Sequence, residues 1–330
     1  MTQPPPIAHI WSMTSAKPNP NAIVAEQALR AFDELNGPHP GYRPAHAKGI
    51  LLSGTFKPAA GAASLTKAPH ARRSSTPISV RFSDSGGIPA IADTDPNASP
   101  RGIAIRFHLA EHIHTDIIGH SVNGFPARTG EEFVELLQAV RASGPGAGKP
   151  SPIEIFLASH PAALRFVQTP KPCPASFSTE SYYAVSAYHF INESGARRFG
   201  RYQIHPQAAP EYLDPADAQA RPADFLFDDF KARIAKGPVA MRIAVQLAAD
   251  GDPVNDATVN WPGDRPLLDF GTIELTSVVP DNDAEQRHII FDPIPRVDGI
   301  EPSDDPLLEV RASLYLMSGR RRRKEGAPQL

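Results

Sequence analysis

Arg311, Tyr315 and Arg322 lie near the end of the 330-residue chain, four and seven residues apart. On a helix, positions four, seven and eleven apart share a face, so the three side chains would form one polar stripe three turns long. Two guanidinium groups flanking one phenol do not serve core packing. In such a stripe Arg311 would lower the phenol's pKa, making Tyr315 a phenolate able to ligate iron, and Arg322 would meet a carboxylate. The competing reading is a solvated basic tail, because Arg320 to Lys324 is a run of five cations. His112-Ile-His114 on a strand would put two imidazoles on one side, a zinc-like spacing with His120 as a third ligand; the alternative is a polar hairpin around Ala110-Glu111. The single Cys173, between Pro172 and Pro174, reads as a buried or loop thiol rather than a nucleophile and cannot build an internal disulfide framework.

The elements that must position these groups follow from periodicity. Residues 1 to 20 are Pro-rich and aperiodic, which suggests an extended arm. Asn21 is a candidate N-cap for a docking helix to Leu35, with Val24, Ala28, Ala31, Phe32 and Leu35 on one face and Gly37-Pro38 as its stop. Short apolar runs then read as antiparallel strands: Ile50 to Phe56, Ile78 to Phe82, Gly102 to Leu109, and Ile117-Ile118. Thr129-Gly-Glu-Glu132 predicts a capping box opening a helix that buries Phe133, Leu136, Leu137 and Val140. Further strands are expected at Tyr182 to Ile191, Phe199 to Ile204, Val239 to Leu247 and Phe270 to Leu275, with a helix over Phe225 to Ala235 among them. No linker separates the strand groups, so one barrel closed by pairing early and late strands is favoured. Asp305 can cap a last helix with Pro306 at its first position and Leu307, Leu308, Val310, Leu314 and Met317 available for burial.

With 33 Lys+Arg against 36 Asp+Glu the formal charge is −3, which excludes binding driven mainly by a nucleic-acid or membrane field. No apolar run approaches the ~18 residues of a membrane span. The start, Met1-Thr2-Gln3-Pro4-Pro5-Pro6, lacks the pattern of a signal peptide, so a cytoplasmic protein is expected. Proline is abundant, 36 of 330 residues, about twice the usual ~5%. That argues against a helical bundle and for short elements with rigid connections.

Arg311-x-x-x-Tyr315 with a further arginine at 322 resembles the proximal haem motif of the monofunctional haem catalases, and Phe291-Asp-Pro with Gly299-Ile-Glu-Pro-Ser303 resembles the segment leading into it. Three upstream segments resemble the family in the same order. Arg43-Pro-Ala-His46-Ala-Lys-Gly49 is similar to its distal segment; Val80-Arg-Phe-Ser83 and Asp95-Pro-Asn-Ala-Ser-Pro-Arg101-Gly are similar to the strands that follow. Asp116-Ile-Ile-Gly119, with Phe125, Arg128 and Phe133, resembles the region holding the distal amide. The likeness covers roughly residues 38 to 324. Because the chain ends just past the proximal helix, it resembles the short catalase-related peroxidases, and no NADPH site is expected.

The resemblance implies an α+β fold, a catalase-like antiparallel β-barrel of about eight strands with flanking helices. Haem b would lie between barrel and C-terminal helix. The N-terminal arm and docking helix would occupy 1–37, and one haem-binding domain 38–330, with its proximal helix over 305–324. Tyr315 would be the axial iron ligand, kept ionised by Arg311, and Arg43, Arg81 and Arg322 would pair with the propionates. His46 would be the distal acid-base group, oriented by a hydrogen bond from Ser83, since cleaving a peroxide bond needs a proton moved from one oxygen to the other. Phe133 and Phe125 would pack near the porphyrin, with ordinary core as the alternative. One position departs from the family: an ungapped comparison places His120 where the family has its distal amide, and a local slip would bring in Asn123, preferred because an amide donates a hydrogen bond without competing for the proton. The implied function is a haem peroxidase that reduces hydrogen peroxide or organic hydroperoxides with a small organic electron donor. The alternatives are a true catalase, a non-catalytic haem-binding barrel and a hydroperoxide isomerase. The basic run after Arg322 could serve an interface, making a homodimer, or be solvated.

Overall fold

The computed structural model describes residues 19–325; the Pro-rich arm expected before residue 19 lies outside them. Ten strands form one antiparallel sheet: β1 Gly49–Pro58, β2 Thr76–Ser83, β3 Gly102–Ala110, β4 Ile113–His120, β5 Tyr182–Tyr183, β6 Tyr188–Ile191, β7 Arg197–Pro206, β8 Val239–Leu247, β9 Leu267–Val278 and β10 Ile300–Pro302. The circuit β1-β2-β3-β4-β5-β7-β8-β9 returns to β1, so eight strands close a barrel, with β6 added along β7 and β10 along β6. Closure removes the unpaired edges of an open sheet.

Side chains alternate between the two faces of each strand, and both faces are used. Inward residues fill the barrel with apolar and aromatic side chains: Val80 and Phe82 from β2, Ile103, Ile105 and Phe107 from β3, and Phe56 and Phe270 from β1 and β9. Phe56 and Phe270 stack at 5.7 Å and Phe56 meets Phe107 edge-on at 5.1 Å, so the interior is a packed core rather than a ligand chamber. Outward residues of β2, β3 and β4 are covered instead by helices. These are α1 Pro20–Asn36, α3 Gly130–Ala142 and α9 Pro306–Glu325, which share a small apolar core of Val24, Ala25, Ala28, Val134, Val310 and Leu314. The other helices are α2 Ala62–Leu65, α4 Pro152–Ser159, α5 Pro161–Gln168, α6 Pro215–Gln219, α7 Phe225–Lys236 and α8 Asn282–His288.

Several local expectations change. The cap of α1 is Asn19, not Asn21: Pro20 takes the first helical position, and the Asn19 carboxamide oxygen accepts from the Asn21 N–H at 3.0 Å. Thr129 caps α3 by accepting from the Glu132 N–H at 3.2 Å, but the Glu132 carboxylate accepts from the Arg128 N–H rather than closing the box on Thr129. Val140, expected inside, is 40% exposed. The single strand expected over Tyr182 to Ile191 is two strands, because residues 184–187 leave the ladder and the pairing with β7 slips between them. His112 lies in the tight turn between β3 and β4 with φ 59°, and its side chain is exposed. His108 and His114 are cross-strand partners, and His108 Nε2 instead shares a hydrogen bond with Ser79 Oγ at 2.9 Å. Among the described residues no group of three or more His, Cys, Asp or Glu could hold a metal, so this is the polar hairpin and not the zinc site. Cys173 is half-buried, with its thiol pushed up by burial. No helix among the described residues is long and apolar enough to cross a membrane.

Candidate active site

Between the outer face of β2–β4 and the helices lies a cavity with about 1420 Å³ of atom-free space, open mouth included. Its barrel wall follows from strand parity. Arg81 and Ser83, Gly102 and Ala104, and Ile118 and His120 point outward into it, while their neighbours Val80, Phe82, Ile105 and Ile117 point into the barrel core. Its helical wall is built by Ala28 and Phe32 of α1, Gly130 and Phe133 of α3, and Val310, Arg311, Leu314, Tyr315, Ser318 and Arg322 of α9. The spacing that suggested a polar stripe on the last helix therefore places Arg311, Tyr315 and Arg322 in one cavity, and the solvated-tail reading fails for Arg322, which is buried.

His46 enters from the loop before β1. Its backbone is left-handed, φ 55°, a conformation costing about 1 kcal/mol or more for a residue other than glycine. It is held there by hydrogen bonds: the His46 N–H donates to Ser85 O at 2.9 Å, the Ala47 N–H donates to Gly86 O at 3.0 Å, and Arg81 Nη2 donates to His46 O at 2.8 Å. Its Nδ1 shares a hydrogen bond with Ser83 Oγ at 3.0 Å. The ring lies against Gly102, where a Cβ would come within 2.7 Å of His46 Nδ1 and 2.6 Å of Ser83 Oγ. Burial first, then Arg81 and Arg43, push the imidazole down to about 4, so it is neutral at neutral pH and able to accept a proton. On the helical wall, Arg311 Nε and Nη2 lie 3.4 Å from the Tyr315 hydroxyl oxygen. Burial works against the Arg311 charge, but the Tyr315 and Tyr188 phenols more than offset it and the group is held above the usual arginine value.

The cavity also gathers Arg43, Arg81 and Arg322. Arg43 donates to Ile289 O at 3.1 Å; Arg81 donates through Nε to Gln286 Oε1 at 2.7 Å; Arg322 donates to Ser318 Oγ at 2.8 Å and Ile289 O at 3.0 Å. Among the described residues none of the three forms an ion pair with a carboxylate, and the buried Nε of Arg322 has no partner. The cost is visible in their acidities. Burial, then Arg81 and Arg322, lower Arg43 well below the usual arginine value; burial and Arg322 lower Arg81 to about 9; burial, Arg323 and Arg321 lower Arg322 to about 10. Three enclosed cations with no carboxylate at ion-pair distance among the described residues favour an anionic ligand that balances them. Nothing near Arg81 in the sequence signals Gln286 of α8, which fixes it, because the two are separated by 205 residues.

Phe133 packs against Phe32 and Phe125 at 5.8 and 5.3 Å and borders the cavity with Phe125. The exception to the convergence is Asn123. β4 runs to His120 with Gly102 opposite it, and the ladder is regular from Gly102↔His120 to His108↔His114, so no slip occurs near the strand's end. His120 therefore lines the cavity, and Asn123, in the turn beyond, is not among its lining residues.

The constellation suits a planar, apolar ligand that carries carboxylates and a metal. Ala104, Ile118, Phe125, Phe133, Val185 and Leu314 supply apolar walls, the three arginines offer donors that match carboxylates, and the Tyr315 phenol offers an oxygen beside a guanidinium. Comparison with known proteins agrees. A family model described as Catalase matches residues 22–329. The chain is 36% identical over 301 residues to a catalase-related peroxidase of Mycolicibacterium paratuberculosis, covering 90% of this chain and 94% of that protein. It is 32% identical over 301 residues to a catalase-related peroxidase of Synechococcus elongatus, covering 90% and 88%. Its fold is similar to the crystal structure of a fungal catalase with TM-score 0.77 at 23% identity, covering 89% of this chain and 62% of that one.

Proposed function

The chain belongs to the catalase family, and we propose that it is a haem-dependent peroxidase that reduces hydrogen peroxide or organic hydroperoxides at the expense of a small organic electron donor. The observation that carries this reading is the set of three enclosed guanidinium groups, Arg43, Arg81 and Arg322, without a carboxylate, in the same cavity as Tyr315 and His46. Haem b meets each requirement: propionates for the arginines, an iron for the Tyr315 oxygen and a porphyrin for the apolar walls. When bound, the haem supplies the two-electron redox chemistry and takes single electrons back from the donor. Residues 38–330 would form the haem-binding domain, with α1 docked on it, in a cytoplasmic protein.

The chain's own groups do the rest. Arg311 directs Nε and Nη2 at the Tyr315 oxygen from 3.4 Å and so orients the phenol toward the cavity. His46, neutral and held by Ser83, would accept the proton from one peroxide oxygen and return it to the other, which leaves as water, or as an alcohol from an organic hydroperoxide, with the two electrons that cleave the O–O bond supplied by the haem. Gly102 leaves room for the imidazole, and Arg81 holds the His46 carbonyl so that the left-handed turn cannot relax.

Protein purified with haem supplied should show a Soret band and oxidise a dye donor faster than it releases oxygen from peroxide. Replacing the acid-base group, His46→Ala, should lower donor oxidation by roughly 10²-fold or more while the Soret band persists. Lack of a Soret band, or an undiminished rate in the variant, would overturn the proposal. Oxygen release exceeding donor oxidation would make it a true catalase.

A further inference from the structure

Three residues on adjacent strands stand in one row across the barrel wall: Ser83, opposite Gly102, and Gly102, opposite His120. The His46 imidazole rests on the middle one and shares a hydrogen bond with Ser83 on one side. Cross-strand partners have Cβ atoms about 5 Å apart, so the residue on the other side of Gly102 is an immediate neighbour of the site where His46 works. That residue is His120.

Its state is fixed by the backbone. Nδ1 accepts from the Val122 N–H at 3.3 Å and must therefore present its lone pair, which leaves the proton of the neutral ring on Nε2. This Nε2–H is buried and has no hydrogen-bond partner among the described residues. Its ring neighbours are Phe125 at 6.3 Å and Phe166 at 6.2 Å, which offer no acceptor for a conventional hydrogen bond. A buried donor left unpaired is costly unless a ligand satisfies it. The same ring lines the cavity in which His46 stands. Burial first, then His46 and Arg311, push the group down to about 3, so it remains a neutral donor wherever His46 is active.

We propose that His120 is a second distal catalytic group, a neutral imidazole whose Nε2–H donates a hydrogen bond to the ligand oxygen while His46 carries the proton. The proposal rests on the peroxidase reading of this cavity. It assigns to a histidine the task expected of the Asn123 amide, and it explains why an imidazole can stand there without competing for the proton. The ring is tied at Nδ1 and too acidic to accept one at neutral pH.

The first test is free of turnover. A two-bond ¹H–¹⁵N spectrum of the full chain without haem, with His120→Asn for assignment, should show His120 protonated at Nε2 and bare at Nδ1 at pH 7. The reverse tautomer would overturn the proposal. The second test titrates fluoride into the ferric, haem-loaded protein and follows the Soret shift. His120→Leu should weaken fluoride by about 10-fold, the equivalent of one lost hydrogen bond, whereas His120→Asn, which restores a donor, should stay within about 3-fold. Parental affinity in the leucine variant, or equal loss in both variants, would refute it. If the leucine variant does not fold, the asparagine variant and the tautomer decide. Failure of the parent chain to take up haem would sink the peroxidase reading itself; normal uptake with parental fluoride affinity in His120→Leu would sink only the role of His120.

Discussion

His70 lies in the barrel core, 1% exposed, among Phe56, Phe107 and Phe270, with neither ring nitrogen hydrogen-bonded among the described residues. Burial, and then Arg73, push its imidazole down to about 3. The unfolded chain binds a proton near pH 6.5 while the folded chain refuses it down to about pH 3. Its contribution to stability is therefore intact above pH 6.5 and lost progressively as the pH falls toward 3. At pH 5 the loss from this one residue is about 2 kcal/mol, 1.5 pH units at ~1.36 kcal/mol each. His46 and His120, pushed down to about 4 and 3, act in the same sense. Asp84, pushed up to about 7 chiefly by burial, acts oppositely. The parent's total acid response is thus a mixture, and comparison with His70→Leu isolates one part of it. Urea denaturation of parent and variant at pH 7.5 and 5.0 should show the variant losing about 2 kcal/mol less between the two conditions. At pH 7.5 it should be at least as stable, because two unsatisfied nitrogens are replaced by an apolar side chain. An equal loss in parent and variant would refute the claim that His70 is buried neutral in the barrel.

Two further substitutions probe the site. Gly102→Ala places a methyl group within van der Waals overlap of His46 Nδ1 and Ser83 Oγ, so peroxide-dependent donor oxidation should fall by 10-fold or more while the Soret band is kept; stopped-flow rates of peroxide reaction read it directly. Arg322→Leu removes a guanidinium whose Nε waits for a partner, and haem affinity, measured by transfer to an apo-acceptor, should weaken by about 10-fold or more. In the haem-free protein the same change should cost much less, since it also removes an enclosed uncompensated charge.

What could be read along the chain was whatever depends on short separations. The stripe Arg311, Tyr315, Arg322 needs only a helix, and the outward parity of Arg81 and Ser83 needs only a strand. Proline was read less well. Its abundance argues against a helical bundle, as the barrel bears out, but among the described residues five helices start on proline, at Pro20, Pro152, Pro161, Pro215 and Pro306, where a residue with no N–H loses no helical hydrogen bond. The helices α4 and α5 are not among the elements expected from the sequence, although Ser151-Pro-Ile-Glu154 is a capping box as plain as any in the chain. The distal position is harder to read for a different reason. Chemical preference for an amide favours Asn123, whereas the pairing of Gly102 with His120 puts the imidazole on the cavity wall, and a register can be seen only when both strands are in place. Once it is, the histidine stops being an anomaly. With Nδ1 tied to a backbone N–H and the ring enclosed beside cations, an imidazole is confined to one tautomer and one charge, and so acquires the property for which an amide would have been chosen.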